Sequence, residues 1–253
     1  MNTDPNHQLL VITGMHRSGT SLISHYLSEC GLDLGDHLIK EDQGNPLGYY
    51  EDKDIVTFHD EVLRKRSLYA FSAEEDKLPL RFDPKEQSRA LEMLERRQMI
   101  GPWGWKDPRM VLFLDAWKEL LPNCFFLFLF RHPAAVVSSI LRRATDPVLV
   151  KNSAVALKVW WIFNREILRF SREYADNSVV YEIDNLIRDP CSLVHTLQEQ
   201  GFALEEADWK NCFDDTSFHS GRGSLFPFLL RGHVRGCVRA MSVYSRLRTV
   251  AVL

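Results

Sequence analysis

The chain has 253 residues, of which 45% are hydrophobic and 26% are charged, and its formal net charge is −3. This composition is typical of a folded globular protein, and the near-neutral charge argues against a general nucleic-acid-binding protein. The length suits one large domain. Because no repeat or linker divides the sequence, we predict a single domain over residues 1–253.

The sequence carries no sign of secretion or of a membrane segment. Its polar start, MNTDPNHQ, lacks the apolar core of a signal peptide, and the longest apolar run, CFFLFLF at 124–130, is too short to span a bilayer. The five cysteines are widely spaced and follow no metal-ligand pattern. We therefore expect a cytoplasmic protein with reduced cysteines, no transmembrane segment and no bound metal.

The first predicted elements are a strand and a helix joined by a glycine loop. QLLVIT at 8–13 predicts a buried strand, and GTSLISHYLSECG at 19–31 predicts a helix. Between them, Gly14 and Gly19 have the spacing of the phosphate-binding pattern G-x-x-x-x-G-K-[ST]. However, Thr20 stands where the pattern has lysine, and Arg17 lies inside the loop.

A loop in this position can bind an anion through its backbone N–H groups and the positive end of the helix dipole. The absent lysine is the group that neutralises the terminal phosphates of ATP, so its loss argues against a nucleotide triphosphatase. The remaining groups suit a less charged anion, such as a 5′-phosphosulfate held without a metal. The candidate binding residues are Gly14, His16, Arg17, Ser18, Gly19, Thr20 and Ser21. The alternative is an ordinary glycine turn.

Strand and helix patterns alternate along the rest of the chain. Residues 103–109 are predicted to form a short strand that turns into a helix at Asp107-Pro108, and further strands are predicted at 123–130 and at 178–184. A long loop is predicted at 33–53. Helices are predicted at 54–66, 86–100, from Pro133, at 152–174, 190–200 and 205–212. This alternation indicates an α/β fold with a central, mainly parallel sheet flanked by helices.

The loop GMHRSGTSL resembles the 5′-phosphosulfate loop of P-loop sulfotransferases, particularly a bacterial branch of that family. GNPLGYYED, WGWKDPR, FLFRHPAAVVSSILRR and VVYEIDNLIRDP follow in the order and spacing of the family, so the resemblance covers roughly residues 8–190. It implies a P-loop NTPase-like three-layer sandwich. It also implies transfer of a sulfuryl group from 3′-phosphoadenosine 5′-phosphosulfate (PAPS) to a hydroxyl or amine of a small-molecule or glycan acceptor. The product would be 3′-phosphoadenosine 5′-phosphate (PAP).

Arg131 and Ser139 form the second candidate anion site. Arg131 ends a predicted strand and Ser139 lies in the following helix, and this pair resembles the 3′-phosphate motif of the family. Ser138 is the neighbouring competitor, although it faces about 100° away on a helix. By the same resemblance, Tyr181 is expected near the adenine and Arg222 is a further candidate for the 3′-phosphate. Taken alone, the pair would read as an arginine at the sheet edge and a serine on a helix surface.

Sulfuryl transfer needs cations at the moving group and a base for the proton of the acceptor. Arg17 and Lys106 are the candidate cations. Lys106, in KDP, resembles a lysine of the protein-tyrosine sulfotransferases. Glu51 is the leading candidate base, with apolar neighbours expected to increase its basicity. Glu41, Asp52 and His59 are further candidates for the base.

Two other functions remain open from the sequence. A P-loop kinase for small molecules would depend on magnesium and ATP, and Thr20 argues against it. A non-catalytic nucleotide-binding protein would keep the fold and bind the donor without turnover. After Asp215 the chain has no acidic residue but several arginines, which predicts either a basic contact surface or a solvated helix face.

Overall fold

A computed structural model describes residues 9–41, 48–72, 74–97, 101–143, 146–213 and 234–252. Its centre is a four-stranded sheet in the order β2-β1-β3-β4, and every neighbouring pair is parallel. The strands are β1 Leu9–Gly14, β2 Trp103–Lys106, β3 Phe125–Phe130 and β4 Ser178–Glu182. The predicted α/β fold with a parallel sheet is therefore confirmed, and all four predicted strands are present.

Two hydrophobic clusters cover the two faces of this sheet. Alternate residues of each strand point to opposite faces, so Leu9 and Val11 join one cluster while Leu10 and Ile12 join the other. Both faces are covered, which explains why strands such as FFLFLF are continuously apolar. The result is three layers, with helices on either side of the sheet.

The helices divide unequally between the two faces. The larger cluster takes α2 Lys53–Lys65, α3 Pro84–Glu95, α4 Leu114–Leu120, α5 Pro133–Arg143, α6 Pro147–Lys151, α7 Ser153–Glu173 and α10 Val234–Val250. The smaller cluster takes α1 Thr20–Glu29, α8 Ile183–Leu186 and α9 Cys191–Glu199.

Two helix predictions differ from the structure. The helix predicted at 86–100 begins earlier, because Asp83 and Glu86 form a capping box around Pro84. The helix predicted at 205–212 is wrong: in that range only Trp209–Asn211 forms a 3-10 turn, capped by Asp208. Helix α10 packs on α7, and the N–H of Val252 donates to the carbonyl of Val180, so the chain end adjoins β4.

Within the described ranges, no helix is both long and apolar enough to cross a membrane. Five cysteines occur as free thiols, and all except the half-buried Cys191 are buried.

Candidate active site

The glycine loop lies at the carboxyl end of β1 and leads directly into α1. Arg17 and Gly19 both adopt left-handed backbone conformations, with φ of 71° and 86°, and Ser18 N–H donates to the Met15 carbonyl at 3.1 Å. A side chain at Gly19 would also meet Ile183 at 2.5 Å. The Ser18 hydroxyl is buried and has no hydrogen-bond partner in the described part of the chain. These features fit a loop that closes around an anion.

Arg17 joins this loop to the second candidate anion site. Its Nε donates to Ser139 Oγ at 3.0 Å, across 122 positions of the sequence. Burial, followed by the nearby charges of Arg143 and Arg131, lowers the pKa of Arg17 to about 10. The contact involves Ser139 rather than Ser138, whose buried hydroxyl has no partner among the described residues.

Arg131 lies just after β3, as its position in the sequence predicts. Its side chain is buried, and its Nε lies 3.7 Å from Asp184 Oδ1, beyond the end of β4. Trp160 Nε1 donates to the Arg131 carbonyl at 3.1 Å and so fixes the backbone there. The guanidinium is therefore held at the carboxyl end of the sheet, where open α/β sheets bind ligands.

Lys106 and Glu51 meet next to the glycine loop. Lys106 Nζ donates to Glu51 Oε1 at 2.7 Å and to Ser21 Oγ at 3.2 Å, and both charged side chains are buried. Burial lowers the pKa of Lys106, although Glu51 opposes this effect. The expectation of apolar neighbours around Glu51 is wrong, because its second oxygen accepts from Arg109 Nη1 at 3.2 Å.

Arg109 is a site residue that the sequence patterns did not single out. It binds Glu51, Asp60 at 2.8 Å and Asp107 at 2.9 Å, and this cluster of carboxylates raises its pKa against the effect of burial. It stands in the motif WGWKDPR, three residues after Lys106. An arginine so close to a candidate cation in the same motif was the available signal.

His59 is buried and both of its ring nitrogens are engaged. Trp117 Nε1 donates to His59 Nε2 at 2.8 Å, so Nδ1 carries the hydrogen and donates to Asp107 Oδ2 at 2.7 Å. An imidazole fixed in this way has no lone pair left for an acceptor proton. The acidic candidates Asp52 and Glu41 do not join the Lys106–Glu51 pair either. Asp52 caps α2 and pairs with Arg97, and Glu41 is exposed.

Three further predicted residues are Tyr181, Thr20 and Arg222. Tyr181 is buried in β4, and its hydroxyl contacts Thr196 at 2.8 Å and the Ser192 carbonyl at 3.3 Å, both in α9. Thr20 is buried at the first position of α1. Arg222 lies outside the described residues.

His16 occupies the glycine loop and packs against Phe71, with ring centres 4.4 Å apart. Its Nε2 is buried and has no hydrogen-bond partner in the ranges that the structure describes. Burial, followed by the charge of Arg109, lowers the pKa of His16 to about 3. The ring is therefore neutral near pH 7.

This shift predicts that His16 destabilises the fold in mild acid. Between about pH 6.5 and pH 3 the unfolded imidazole binds a proton that the folded one does not, so stability falls as pH falls through that range. We expect the free energy of unfolding of wild type, relative to His16→Gln, to fall by up to about 1.4 kcal/mol per pH unit. Urea unfolding at pH 7, 6 and 5 measures it. His195→Gln, at an exposed position, should track wild type, and parallel curves for wild type and His16→Gln would contradict the prediction.

The sheet, the loop and the two adjoining cationic sites are together typical of an enzyme that holds a nucleotide donor by its phosphates and transfers a group from it. The sequence model of the sulfotransferase family matches residues 10–200. The chain therefore belongs to the sulfotransferase family, and its members are transferases. No curated protein matches the chain significantly in sequence.

Solved structures show the same fold. A sulfotransferase from Mycobacterium avium is 15% identical with a TM-score of 0.53, over 88% of this chain and 74% of that one. The sulfotransferase domain of a Synechococcus olefin synthase is 18% identical with a TM-score of 0.50, over 93% and 94%. A sulfotransferase from Alicyclobacillus acidocaldarius is 13% identical with a TM-score of 0.50, over 94% and 95%.

Proposed function

We propose that the protein transfers a sulfuryl group from PAPS to a hydroxyl or amine of a small-molecule acceptor. The observation that carries this proposal is the 3.0 Å contact between Arg17 and Ser139, which joins the two predicted anion sites. A donor with a 5′-phosphosulfate and a 3′-phosphate needs two such sites close together. A nucleoside triphosphate places all of its phosphates in one chain and needs only the first.

The residues of the loop fit the 5′ end of such a donor. Gly14 lets the start of the loop lie against β3, since a Cβ there would be 2.1 Å from the Leu129 carbonyl oxygen, and Gly19 leaves room for Ile183. Ser18 offers a buried hydroxyl without a protein partner in the described ranges, and Arg17 supplies a charge. Arg131 and Ser139 would hold the 3′-phosphate, and PAPS, when bound, supplies the sulfuryl group.

Glu51 and Lys106 would act as a pair, one accepting a proton and the other stabilising negative charge. We assign Glu51 to accept the proton of the attacking hydroxyl or amine. Once the carboxylate is neutralised, Lys106 loses its charge partner 2.7 Å away. Its positive charge then stabilises the negative charge on the oxygen that links the sulfuryl group to the departing phosphate. Arg109 and Ser21 hold this pair in place.

Calorimetric titration with PAP and, separately, with Mg-ATP tests the proposal. We expect PAP to bind without added metal, and Arg131→Ala to weaken that binding by roughly 10- to 100-fold, as for loss of a charged hydrogen bond. Arg188→Ala, an exposed arginine just beyond α8, serves as the matched control and should bind as wild type does. Preferential binding of Mg-ATP would favour a kinase instead.

A transfer assay separates an enzyme from a non-catalytic binding protein. PAPS with a radiolabelled sulfuryl group is mixed with a phenol, an aliphatic alcohol, a monosaccharide and a primary amine, and labelled products are counted. We expect label on at least one of these acceptors and its loss in Glu51→Gln. Tight PAP binding without transfer to any of them would support the non-catalytic function. Cytoplasmic location and metal independence stay predictions.

A further inference from the structure

The backbone on the carboxyl side of Glu51 is paired with an earlier part of the chain. The Ile39 N–H donates to the Glu51 carbonyl at 2.8 Å, and the Lys53 N–H donates to the His37 carbonyl at 2.9 Å. Asp52 lies between these two bonds and caps α2. The chain that leaves the candidate base is therefore fixed by backbone hydrogen bonds.

The residue before Glu51 has an unfavourable backbone conformation. Tyr50 has a φ of 55°, in the left-handed region that glycine adopts easily and that a Cβ disfavours. Non-glycine residues held in this region cluster at functional sites, where surrounding contacts compensate for the strain. A glycine would adopt the same turn more easily, but it would lack the ring.

The ring of Tyr50 anchors this turn to α1. It stacks on the His25 ring, with centres 5.0 Å apart and planes 17° apart, and it packs against the smaller hydrophobic cluster. The preceding carbonyl, that of Tyr49, accepts from Ser21 Oγ at 3.3 Å. Ser21 and His25 are four positions apart in α1 and so share a face of the helix. The helix that begins at the glycine loop thus holds the backbone just before the candidate base.

We propose that Tyr50 is a positioning residue for the candidate base: its ring, stacked on His25, holds the left-handed turn that presents Glu51. This inference rests on the proposed function. The Glu51 carboxylate lies 2.7 Å from Lys106 Nζ and 3.2 Å from Arg109 Nη1, and a shift of its backbone would change both distances. Because α1 also begins at the glycine loop, one helix aligns the base with the donor.

A purely structural role for Tyr50 predicts a different result. A stacked aromatic pair contributes to stability through its packing. If that were the whole role of Tyr50, its removal would lower the free energy of unfolding and leave the kcat of the folded enzyme unchanged. The decisive measurement is therefore kcat for sulfuryl transfer, with the stability of each variant measured separately by urea unfolding.

Three substitutions of Tyr50 separate the ring from the backbone. Tyr50→Phe keeps the ring, and we expect its kcat within about twofold of wild type. Tyr50→Gly loses the ring but accepts the left-handed backbone, so kcat should fall about three- to tenfold. Tyr50→Ala loses the ring and also disfavours that backbone, so kcat should fall about 10- to 100-fold. PAP affinity should stay within about twofold in all three, because the phosphate sites are built from other residues.

Ser67 provides the matched control for the backbone. It is also left-handed, with a φ of 54°, and it lies beyond the end of α2. Ser67→Ala should keep the wild-type kcat, whatever its effect on stability. If Tyr50→Ala kept more than half of the wild-type kcat, or lost no more than Tyr50→Gly, the positioning role would be overturned.

The part played by His25 is tested by a double-mutant cycle. His25→Leu removes the stack from the side of α1, and we expect kcat to fall about three- to tenfold. In the Tyr50→Ala background the same change should have almost no further effect, because the stack is already absent. Additive losses would show that the two rings do not act together. If Tyr50→Ala does not fold, an unchanged kcat in His25→Leu would overturn the positioning role.

The outcomes distinguish a wrong function from a wrong role for Tyr50. If wild type transfers no label to any acceptor, the proposed function is wrong, and the positioning role with it. If Glu51→Gln keeps the wild-type rate, Glu51 is not the base, and Tyr50 has no base to position. If both behave as proposed and the Tyr50 variants keep the wild-type kcat, only the role of Tyr50 is overturned.

Discussion

Lys106→Met is expected to lower kcat for sulfuryl transfer by a factor of about 100–1,000, the loss typical of removing one preorganised charge from a transition state. Lys106 is buried, and its Nζ lies 2.7 Å from Glu51 and 3.2 Å from Ser21. Low-dielectric surroundings strengthen the interaction of its charge with the transition state. PAP affinity should change by less than about tenfold, because the phosphate sites are built from other residues. The rate with the best acceptor of the panel and the PAP titration measure the two quantities.

Lys118→Met is the matched control for this prediction. Lys118 is another buried lysine, but its Nζ donates to the Pro122 carbonyl, at the end of α4 and away from the glycine loop. We expect Lys118→Met to retain most of its kcat. If Lys106→Met kept more than half of the wild-type rate, or if both lysine variants lost rate equally, Lys106 would have no special part in the transfer.

The layout of the fold was predictable because it depends on short-range patterns. Apolar runs such as FFLFLF have few alternatives to a buried strand, and the glycine loop marks the junction of β1 with α1. The prediction of a helix at 205–212 was wrong because the apolar residues of that segment pack into the smaller cluster without forming a helix. Burial of Leu204 and Cys212 against the rest of the fold, and not a helical spacing of apolar residues, determines the structure there.

The pairing of site residues was less predictable than their identities. Arg17 and Ser139 were both candidates, but their direct contact depends on the parallel register of β1 and β3 and on the left-handed backbone at Arg17. Glu51 was singled out for a base with apolar surroundings, whereas the structure surrounds it with Lys106 and Arg109. Side-chain partners across long sequence separations are set by the assembled sheet, and no local pattern specifies them.

Asp107→Ala is expected to lower the free energy of unfolding by about 3–5 kcal/mol, the cost typical of leaving a buried charge without its partner. Asp107 is fully buried, accepts from His59 Nδ1 at 2.7 Å and from Arg109 Nη1 at 2.9 Å, and its side chain also accepts from the Arg109 N–H. The substitution takes the acceptor from the buried His59 ring and removes one of the three carboxylates around Arg109. Urea unfolding at pH 7 measures the loss, and Asp107→Asn, which keeps the shape, should lose less.

The control for Asp107 is the exposed partner of the same arginine. Asp60 is 41% exposed and lies 2.8 Å from Arg109 Nε, so Asp60→Ala should cost under about 1 kcal/mol. Equal losses in the Asp60 and Asp107 variants would show that burial of the network does not matter.

The pH dependence of stability gives a second check on Asp107. Burial alone would raise the pKa of Asp107, but Arg109 and His59 hold it well below its usual range. Its stabilisation is therefore complete above about pH 4 and is lost as the pH falls further, so wild type and Asp107→Asn should converge in stability in acid.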